Sequence, residues 1–178
     1  MTSQEHFEQD RSKLIEATIY LSELSLDDPN FAVAKLVKLL YYADCESYMQ
    51  SGAPITGTTY LHFPHGPHPE NWYQVREQME QNGDVEILYE TTVPGYREYR
   101  IIPRRAADLE CLSPTDRESL EAQVKRFAGI NAAGIEQYSH QEVGWLSTED
   151  GQPIPYALAG VFSAPMSAQD IRARRAAR

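Results

Sequence analysis

Cysteine is scarce in this sequence, and long apolar runs are absent. Only Cys45 and Cys111 occur among 178 residues, and they lie far apart in the chain. This favours a compartment in which thiols stay reduced and excludes a disulfide framework. The opening stretch MTSQEHFEQDR is too polar for a secretory signal, and the apolar stretch 156–166 is too short to span a bilayer. We therefore expect a cytoplasmic protein without membrane contact.

Basic residues are also few, since 16 Lys and Arg face 26 Asp and Glu and leave a net charge of −10. Phosphate groups would be repelled by such a surface, which argues against general nucleic-acid binding. The exception is IRARRAAR at 171–178, which carries four arginines and no acid. We expect 165–178 to be a solvated basic helix or tail. A small nucleic-acid or partner contact remains the alternative, although no helix-turn-helix pattern supports a DNA-binding autoregulator.

Recognisable catalytic motifs are missing as well. The chain has no HExxH, no paired CxxC, and no glycine-rich phosphate loop. Ser139 and His140 are sequence neighbours, whose side chains do not normally face each other. Asp44 and Glu46 lie two apart on a predicted helix and so point in different directions. We therefore predict no catalytic residues, no metal, and no cofactor.

Histidine, in contrast, is concentrated in the stretch YLHFPHGPHPENWY at 60–73. It contains three of the five histidines, His62, His65 and His68. The prolines and Gly66 restrict the backbone between them, which favours a tight turn after a short strand. We expect His68 and Pro69 to begin the next helix. A metal-dependent enzyme that uses these histidines with His140 remains a less favoured alternative.

Periodicity along the chain predicts a predominantly helical α+β domain. Apolar residues at helical spacing predict helices over about 12–25, 31–50, 69–82 and 114–127. The runs VEILYETTV and YREYRIIP flank Pro94 and Gly95 and predict one small antiparallel β-hairpin. Ser113 to Asp116 resembles a capping box. We divide the chain into an extension at 1–11, a compact domain at 12–164, and the basic segment at 165–178.

Five sequence motifs occur in a distinctive order over most of the chain. They are KLVKLLYYAD (35–44), GAPITGTTY (52–60), HGPHPENWY (65–73), SHQEVGW (139–145) and GQPIPY (151–156). This order resembles the Panacea, or SocA-like, antitoxin domain family. The matched positions serve either the fold or binding: Lys35, Lys38, Tyr41, Asp44, Gly57, Tyr60, Gly66, Pro67, Pro69, His140, Trp145, Pro155 and Tyr156.

The resemblance implies a binding function. Members of the family are described as antitoxins that neutralise a protein toxin encoded by an adjacent gene, and the domain is paired with many unrelated toxins. The implied partner is thus a cognate protein toxin. In the alternative, SocA-like role, the protein is an adaptor that delivers its toxin to a ClpXP-type protease.

Neutralisation by binding requires an interface of about 800 Å² per partner, anchored by aromatic residues. Tyrosine is abundant, with eleven in the chain. The candidate toxin-binding residues are Tyr73, Tyr89, Tyr96 and Tyr99. We expect Trp72 and Trp145 to belong to the core.

Overall fold

A computed structural model of the chain describes residues 6–93, 96–158 and 161, with side chains placed outside 91–97. In this part of the chain the structure contains six α-helices, two β-hairpins and one short 3₁₀ helix. The helices are α1 Arg11–Leu24, α2 Val33–Ser51, α3 Trp72–Gln81, α4 Pro114–Arg126, α5 Ala132–Ser139 and α6 Val143–Leu146. The strands are β1 Tyr60–Phe63, β2 Gly66–Pro69, β3 Val85–Val93 and β4 Tyr96–Pro103, and the 3₁₀ helix is Tyr156–Leu158.

Helix α2 is the central helix of the domain, as its apolar sequence predicts. Every residue from Lys35 to Cys45 is buried, and α1, α4, α5 and β2 all pack against it. The helix ends at Gly52, which takes a left-handed conformation with φ 81°. This conformation has little steric cost for glycine because it has no Cβ.

Helices α1 and α4 are fixed at their first turns by side-chain caps. The Asp10 carboxylate accepts a hydrogen bond from the backbone N–H of Lys13. Ser113 and Asp116 form the predicted capping box, with Pro114 in the first turn. The ammonium of Lys13 lies 2.9 Å from a carboxylate oxygen of Asp116, so the two caps are also linked. The predicted starts of both helices are therefore confirmed.

Helix α3 begins later than predicted, so the expectation for His68 and Pro69 is wrong. Both residues belong to β2, where Pro69 pairs with Tyr60 and His68 with Leu61. The helix starts only after Asn71, which has φ 60°. Proline suits an extended strand as well as a first helical turn, because its fixed φ is allowed in both. Here the pairing with β1 determines the conformation.

The two hairpins confirm the α+β fold class. Hairpin β3–β4 was predicted, and hairpin β1–β2 is an additional strand pair. Strands β3 and β4 are antiparallel, with Tyr89 opposite Tyr99 and Ile87 opposite Ile101. Their predicted turn residues, Pro94 and Gly95, lie outside the described residues. Strands β1 and β2 form a second hairpin around the turn at 64–65.

The core is one continuous apolar cluster that extends from α1 and α2 to the base of the β3–β4 hairpin. Within the described residues, no helix is both long and apolar enough to cross a membrane. Residues 1–5 of the predicted extension and the basic segment 165–178 lie outside the described residues.

Candidate functional site

Lys35 connects helix α2 to two neighbouring loops through a buried ammonium group. Its Nζ donates to a carboxylate oxygen of Asp28 at 2.7 Å. It also donates to the backbone carbonyls of Phe127 at 2.9 Å and Ile130 at 2.8 Å, beyond the end of α4. Burial alone would raise the pKa of Asp28, but the hydrogen bonds from Lys35 and the Asn30 N–H, together with the charges of Lys35 and Arg100, outweigh it, and the pKa lies below its usual value. These contacts give Lys35 a structural role.

Asp44 holds the segment that leads into β1. Its carboxylate is fully buried and accepts hydrogen bonds from the backbone N–H of Thr56 at 2.7 Å and from the Thr56 hydroxyl at 2.6 Å. The Tyr60 hydroxyl donates a third hydrogen bond at 2.7 Å. Burial raises the pKa of Asp44 to about 6, although these hydrogen bonds oppose the shift. Asp44 therefore fixes the position of the GAPITGTTY motif against α2.

Two glycines permit close approaches that no other residue would allow. A Cβ at Gly57 would lie 2.3 Å from the carbonyl oxygen of Glu8. A Cβ at Gly66 would lie 2.5 Å from the Ser139 hydroxyl and 3.0 Å from Cε of Lys38. Both glycines also have positive φ, 65° and 100°. The hairpin β1–β2 can therefore pack on α2 and α5 only because Gly66 lacks a side chain.

Lys38 is buried beneath this hairpin with little compensation for its charge. Its Nζ donates one long hydrogen bond, 3.4 Å, to the carbonyl of Ala34. Burial lowers the pKa of Lys38 to about 8, and the charge of Glu136 only partly opposes this. In the described structure Lys38 fills space under Gly66 rather than pairing closely with a carboxylate.

The Trp145 indole stacks with two histidines. Its ring centroid lies 4.3 Å from that of His62 in β1 and 4.0 Å from that of His140 at the end of α5. The Nδ1 atom of His62 is also within hydrogen-bond distance, 3.0 Å, of the Thr148 hydroxyl. These contacts join the hairpin to the region around α6. Trp145 is half-buried, at the edge of the core.

The histidines of the β1–β2 hairpin do not converge on one point. The His65 side chain is 83% exposed at the turn, 3.3 Å from Glu136. His68 lies on the strand opposite β1, its Nδ1 3.1 Å from the Pro69 carbonyl oxygen, and burial lowers its pKa. Among the residues that the structure describes, no group of three or more His, Cys, Asp or Glu side chains is placed to hold a metal ion. The metal-dependent alternative thus has no ligand set in this part of the chain.

The GQPIPY motif (151–156) contacts strand β1 and the segment before it. The backbone N–H of Ile154 donates to the Tyr60 carbonyl at 2.8 Å, and the Tyr156 hydroxyl donates to the Thr58 carbonyl. Pro155, between them, is half-buried. Motifs that are almost 100 residues apart in sequence therefore meet around β1.

Three of the four candidate tyrosines lie together on the surface. The Arg76 guanidinium carbon is 4.8 Å from the ring centroid of Tyr73 and 5.3 Å from that of Tyr99. The Tyr89 and Tyr99 centroids are 5.8 Å apart across the β3–β4 pair. Tyr73 is 61% and Tyr89 50% exposed. We call Tyr73, Arg76, Tyr89 and Tyr99 the aromatic surface.

The aromatic surface is anchored to the core by a neighbouring side chain. The indole N–H of Trp72, which is buried, donates to the Tyr99 hydroxyl at 2.9 Å. Tyr99 is thereby held in place while its ring remains half-exposed. The side chain of Tyr96, the fourth candidate, lies outside the described residues.

A separate cleft of about 290 Å³ lies between α2, α4 and the segment before α6. We call it the α2–α4 cleft. Its lining residues are Tyr42, Cys45, Glu46, Met49, Gln50, Arg126 and Glu142.

Glu142 is the unusual residue of this cleft. Its side chain is fully buried, and neither carboxylate oxygen has a hydrogen bond of ordinary geometry within the described residues. The hydroxyls of Tyr41 and Tyr42 lie nearby but also lack such a bond. Burial raises the pKa of Glu142 to about 7, and the tyrosine hydroxyls and Arg126 offset only part of the shift. A buried acid whose charge is compensated only in part is costly in its ionised form, so burial favours the protonated carboxyl group.

Comparison with known families identifies the fold that these motifs build. Residues 36–146 match the family described as antitoxin SocA-like, Panacea domain, and this range is more than half of the chain. The chain belongs to this family. Among curated proteins, none matches it. The matched range contains most of the motif positions of the Panacea domain, while Lys35, Pro155 and Tyr156 lie outside it.

In this Panacea domain, the geometry favours structural roles for the motif residues. Lys35, Asp44, Tyr60 and Gly66 are buried and hold the β1–β2 hairpin or the loops to α2. The remaining motif residues are also buried or half-buried, and the backbone of Gly57 closely approaches Glu8. Any part that they take in toxin binding stays a prediction.

Sequence reasoning missed Arg76 and Glu142. Arg76 contacts Tyr73 of its own helix and Tyr99 of β4, which depends on how α3 packs against the β3–β4 hairpin. Glu142 lies within the SHQEVGW motif, where nothing marks it as buried. One weak signal was available: Tyr41 and Tyr42 carry hydroxyls in a helix that is apolar almost all round. Buried tyrosine hydroxyls usually require polar partners.

Proposed function

We propose that the protein is an antitoxin that neutralises a cognate protein toxin, encoded by an adjacent gene, through direct binding. Membership of the SocA-like, Panacea-domain family is the observation that carries this proposal. The protein would act by covering a surface of the toxin and would require neither catalysis nor a cofactor. It would do so in the cytoplasm, where thiols such as Cys45 and Cys111 remain reduced.

The aromatic surface supports the proposal because it has the features of an interface anchor. Tyrosine and arginine are enriched among the residues that dominate binding energy. Here Tyr99 and Arg76 are held by neighbours, so little conformational entropy would be lost when a partner covers them. Tyr73 and Tyr89 present large exposed rings beside them.

The net charge of −10 suits a basic partner. Toxins that act on RNA or nucleotides are expected to be basic where they bind phosphate groups. Opposite net charges would steer the encounter and raise the association rate.

Co-expression with the product of the adjacent gene tests the function. We expect that product alone to arrest growth, and this protein to restore growth and co-purify with it in a stoichiometric complex. A neighbour that is harmless alone, or that remains lethal when this protein is present, would contradict the proposal. Rescue that requires a ClpXP-type protease and shortens the toxin's half-life would instead identify the protein as an adaptor.

A further inference from the structure

We propose that the toxin docks a basic segment on one face of the β3–β4 hairpin, with an arginine of that segment between Glu90 and Glu98. We call this face the outer face, and it consists of Leu88, Glu90, Glu98 and Arg100. The inference rests on the proposed function, because it assigns the arginine to the toxin. It adds to that function the chemistry of the partner and a second contact on the hairpin that carries Tyr89 and Tyr99.

The strand register separates the two faces of the hairpin. The cross-strand pairs are Leu88 with Arg100, Tyr89 with Tyr99, and Glu90 with Glu98. Because successive side chains of a strand point to opposite faces, the first and third pairs lie on the face away from the tyrosines. Residues 88–90 are all exposed, so within the described residues this part of β3 is uncovered on both faces. A partner could therefore contact the hairpin from two sides.

Two like charges lie directly opposite each other on the outer face. Glu90 is exposed and Glu98 is half-buried. Burial and the charge of Glu90 raise the pKa of Glu98, and no basic group among the described residues offsets this shift. Like charges that face each other across a strand pair destabilise a sheet. A cation placed between them would relieve the repulsion, so the pair is complementary to a basic partner.

Both glutamates line a surface cleft of about 260 Å³ between the hairpin, the loop before α2 and the start of α5. Asn131, which also lines the cleft, accepts a hydrogen bond from the Gly134 N–H with its side-chain oxygen and so caps α5 itself. The glutamates are therefore not required as caps. Because Glu90 is exposed and Glu98 only half-buried, a partner side chain can reach both from solvent.

Arginine suits this pair better than lysine does. Its planar guanidinium has five donors in a fixed geometry and can bind two carboxylates at once, whereas an ammonium group acts as a point charge. The arginine of the outer face is engaged elsewhere, since the Nη2 atom of Arg100 donates to the carbonyls of Ser25 and Leu26, both at 3.4 Å. The cation for Glu90 and Glu98 would therefore come from the partner.

Exposed apolar side chains lie next to the acidic pair. Leu88, on the same strand, is 46% exposed, and Leu26, whose carbonyl contacts Arg100, is 54% exposed. A segment with an apolar residue beside its arginine would cover them. A second copy of this chain would suit the face poorly, because two copies would bring four carboxylates together and each copy has a net charge of −10.

A titration of the isolated full-length protein tests the outer face without the toxin. The probe is the peptide acetyl-Leu-Arg-Leu-amide, and acetyl-Leu-Gln-Leu-amide is its neutral control. By NMR we expect saturable shifts of the Leu88, Glu90 and Glu98 amide signals with the arginine peptide alone. The dissociation constant should be on the order of 10 mM and should rise as salt is added. Equal shifts with the glutamine peptide, or no saturation, would overturn the proposal. Tighter binding of the corresponding lysine peptide would overturn the choice of arginine.

Variants connect the titration to the named residues. The double variant Glu90→Gln with Glu98→Gln should weaken binding of the arginine peptide at least about tenfold. It should be at least as stable as wild type, because it removes the repulsion between the two charges, so lost binding would not reflect unfolding. The matched control is Glu110→Gln with Glu118→Gln, which removes two charges from exposed positions outside the hairpin. Unchanged binding to the first variant, or an equal loss in the control, would overturn the proposal.

The oligomeric state distinguishes the toxin from a second copy of the chain. By analytical ultracentrifugation we expect the isolated protein and its Leu88→Ser variant to sediment alike, because no second copy covers the outer face. A dimer that dissociates in Leu88→Ser would assign the outer face to a second copy and overturn the proposal.

The same glutamine variants separate this inference from the proposed function. In the complex with the toxin, Glu90→Gln with Glu98→Gln should weaken affinity at least about tenfold, while Glu110→Gln with Glu118→Gln leaves it unchanged. If the wild type binds the toxin and the hairpin variant binds it equally well, the toxin does not dock on the outer face and the inference fails alone. If the wild type forms no complex, the proposed function fails, the assignment to the toxin fails with it, and the titration decides whether the outer face binds a basic peptide.

Discussion

At the scale of single residues, Asp44 provides the most direct test of the polar core. Asp44→Ala would leave the Thr56 N–H and the Tyr60 hydroxyl buried without an acceptor, so we expect it to lower the free energy of unfolding by about 3 kcal/mol. Asp44→Asn keeps one acceptor and can donate to a rotated hydroxyl, so we expect a loss of about 1 kcal/mol. Urea denaturation measures both. Equal losses would show that side-chain volume, rather than hydrogen bonding, makes Asp44 important.

Glu142 has the opposite effect on stability, and its effect depends on pH. Its pKa rises from 4.5 to about 7 on folding, so the folded state holds a proton that the unfolded state has released. Stability is therefore lost as pH rises from about 4.5 to about 7. Compared with wild type, Glu142→Gln should gain about 2–3 kcal/mol more stability at pH 8 than at pH 4.5.

Denaturation of both proteins across this pH range measures the difference. The nearby titratable groups, Tyr41, Tyr42, Cys45 and Arg126, are shared by the two proteins, as is the buried Asp44. Burial raises the pKa values of Tyr41, Tyr42 and Cys45, so these groups stay protonated in the folded protein over this range, and the contribution of Asp44 is the same in both proteins. Parallel pH profiles would mean that folding does not raise the pKa of Glu142.

At the scale of elements, local sequence signals predicted the helices better than the hairpins. Helices α1, α2 and α4 were predicted to within a few residues, because spacing, caps and Gly52 are encoded within each helix. Strand β1 and the turn after it were predicted, but β2 was not, because its pairing is supported by distant contacts. Strand β1 is held by Ile154 and stacks on Trp145 through His62. Contacts between residues far apart in the chain leave no periodic pattern in the sequence, so the sequence alone does not predict them.

Some residues of the candidate site could be predicted from the sequence and others could not. The tyrosines Tyr73, Tyr89 and Tyr99 could be proposed from composition, and the structure brings them together. Family resemblance identified the motif residues, but their burial and contacts come from the fold. Glu142 could not be found from sequence, because its isolation depends on how α2, α4 and the segment before α6 enclose it.

Gly66 tests whether the β1–β2 hairpin depends on close packing. Gly66→Ala adds a Cβ that would lie 2.5 Å from the Ser139 hydroxyl, at a φ of 100° that other residues rarely adopt. We expect a loss of about 3 kcal/mol or more in the free energy of unfolding. Thermal and urea denaturation measure it.

Gly129→Ala is the matched control for this substitution. Gly129 also has a positive φ, 73°, but a Cβ there meets nothing within 4 Å. We expect a loss of only about 1 kcal/mol, from the backbone conformation alone. If the two variants lose equal stability, the contact with Ser139 relaxes freely and the hairpin is not constrained by it.

At the scale of the whole molecule, we expect the buried motif residues and the exposed tyrosines to have different roles. The motif residues stabilise the fold, so their substitution should reduce toxin binding only through lower stability. The aromatic surface contributes little to the core, since Tyr73 and Tyr89 are at least half exposed. Substitution of Tyr73 and Tyr89 should therefore change binding while leaving stability almost unaltered. This contrast distinguishes a binding surface from a structural cluster.

The double variant Tyr73→Ala with Tyr89→Ala tests that contrast. We expect at least about a hundredfold weaker affinity for the toxin, because central aromatic residues of an interface each contribute about 2 kcal/mol or more. The melting temperature should fall by only a few degrees, about what a loss of 1 kcal/mol produces. Titration calorimetry with the purified toxin, together with growth rescue, measures the effect on binding.

The matched control for the double variant is Leu109→Ala, since Leu109 is an exposed apolar residue, 43% exposed, outside the aromatic surface. It should bind the toxin like wild type. If the double variant also binds like wild type at unchanged stability, the toxin covers another face of the domain. If Leu109→Ala weakens binding as much as the double variant does, the interface extends over the loop before α4, and the aromatic surface is not its energetic centre.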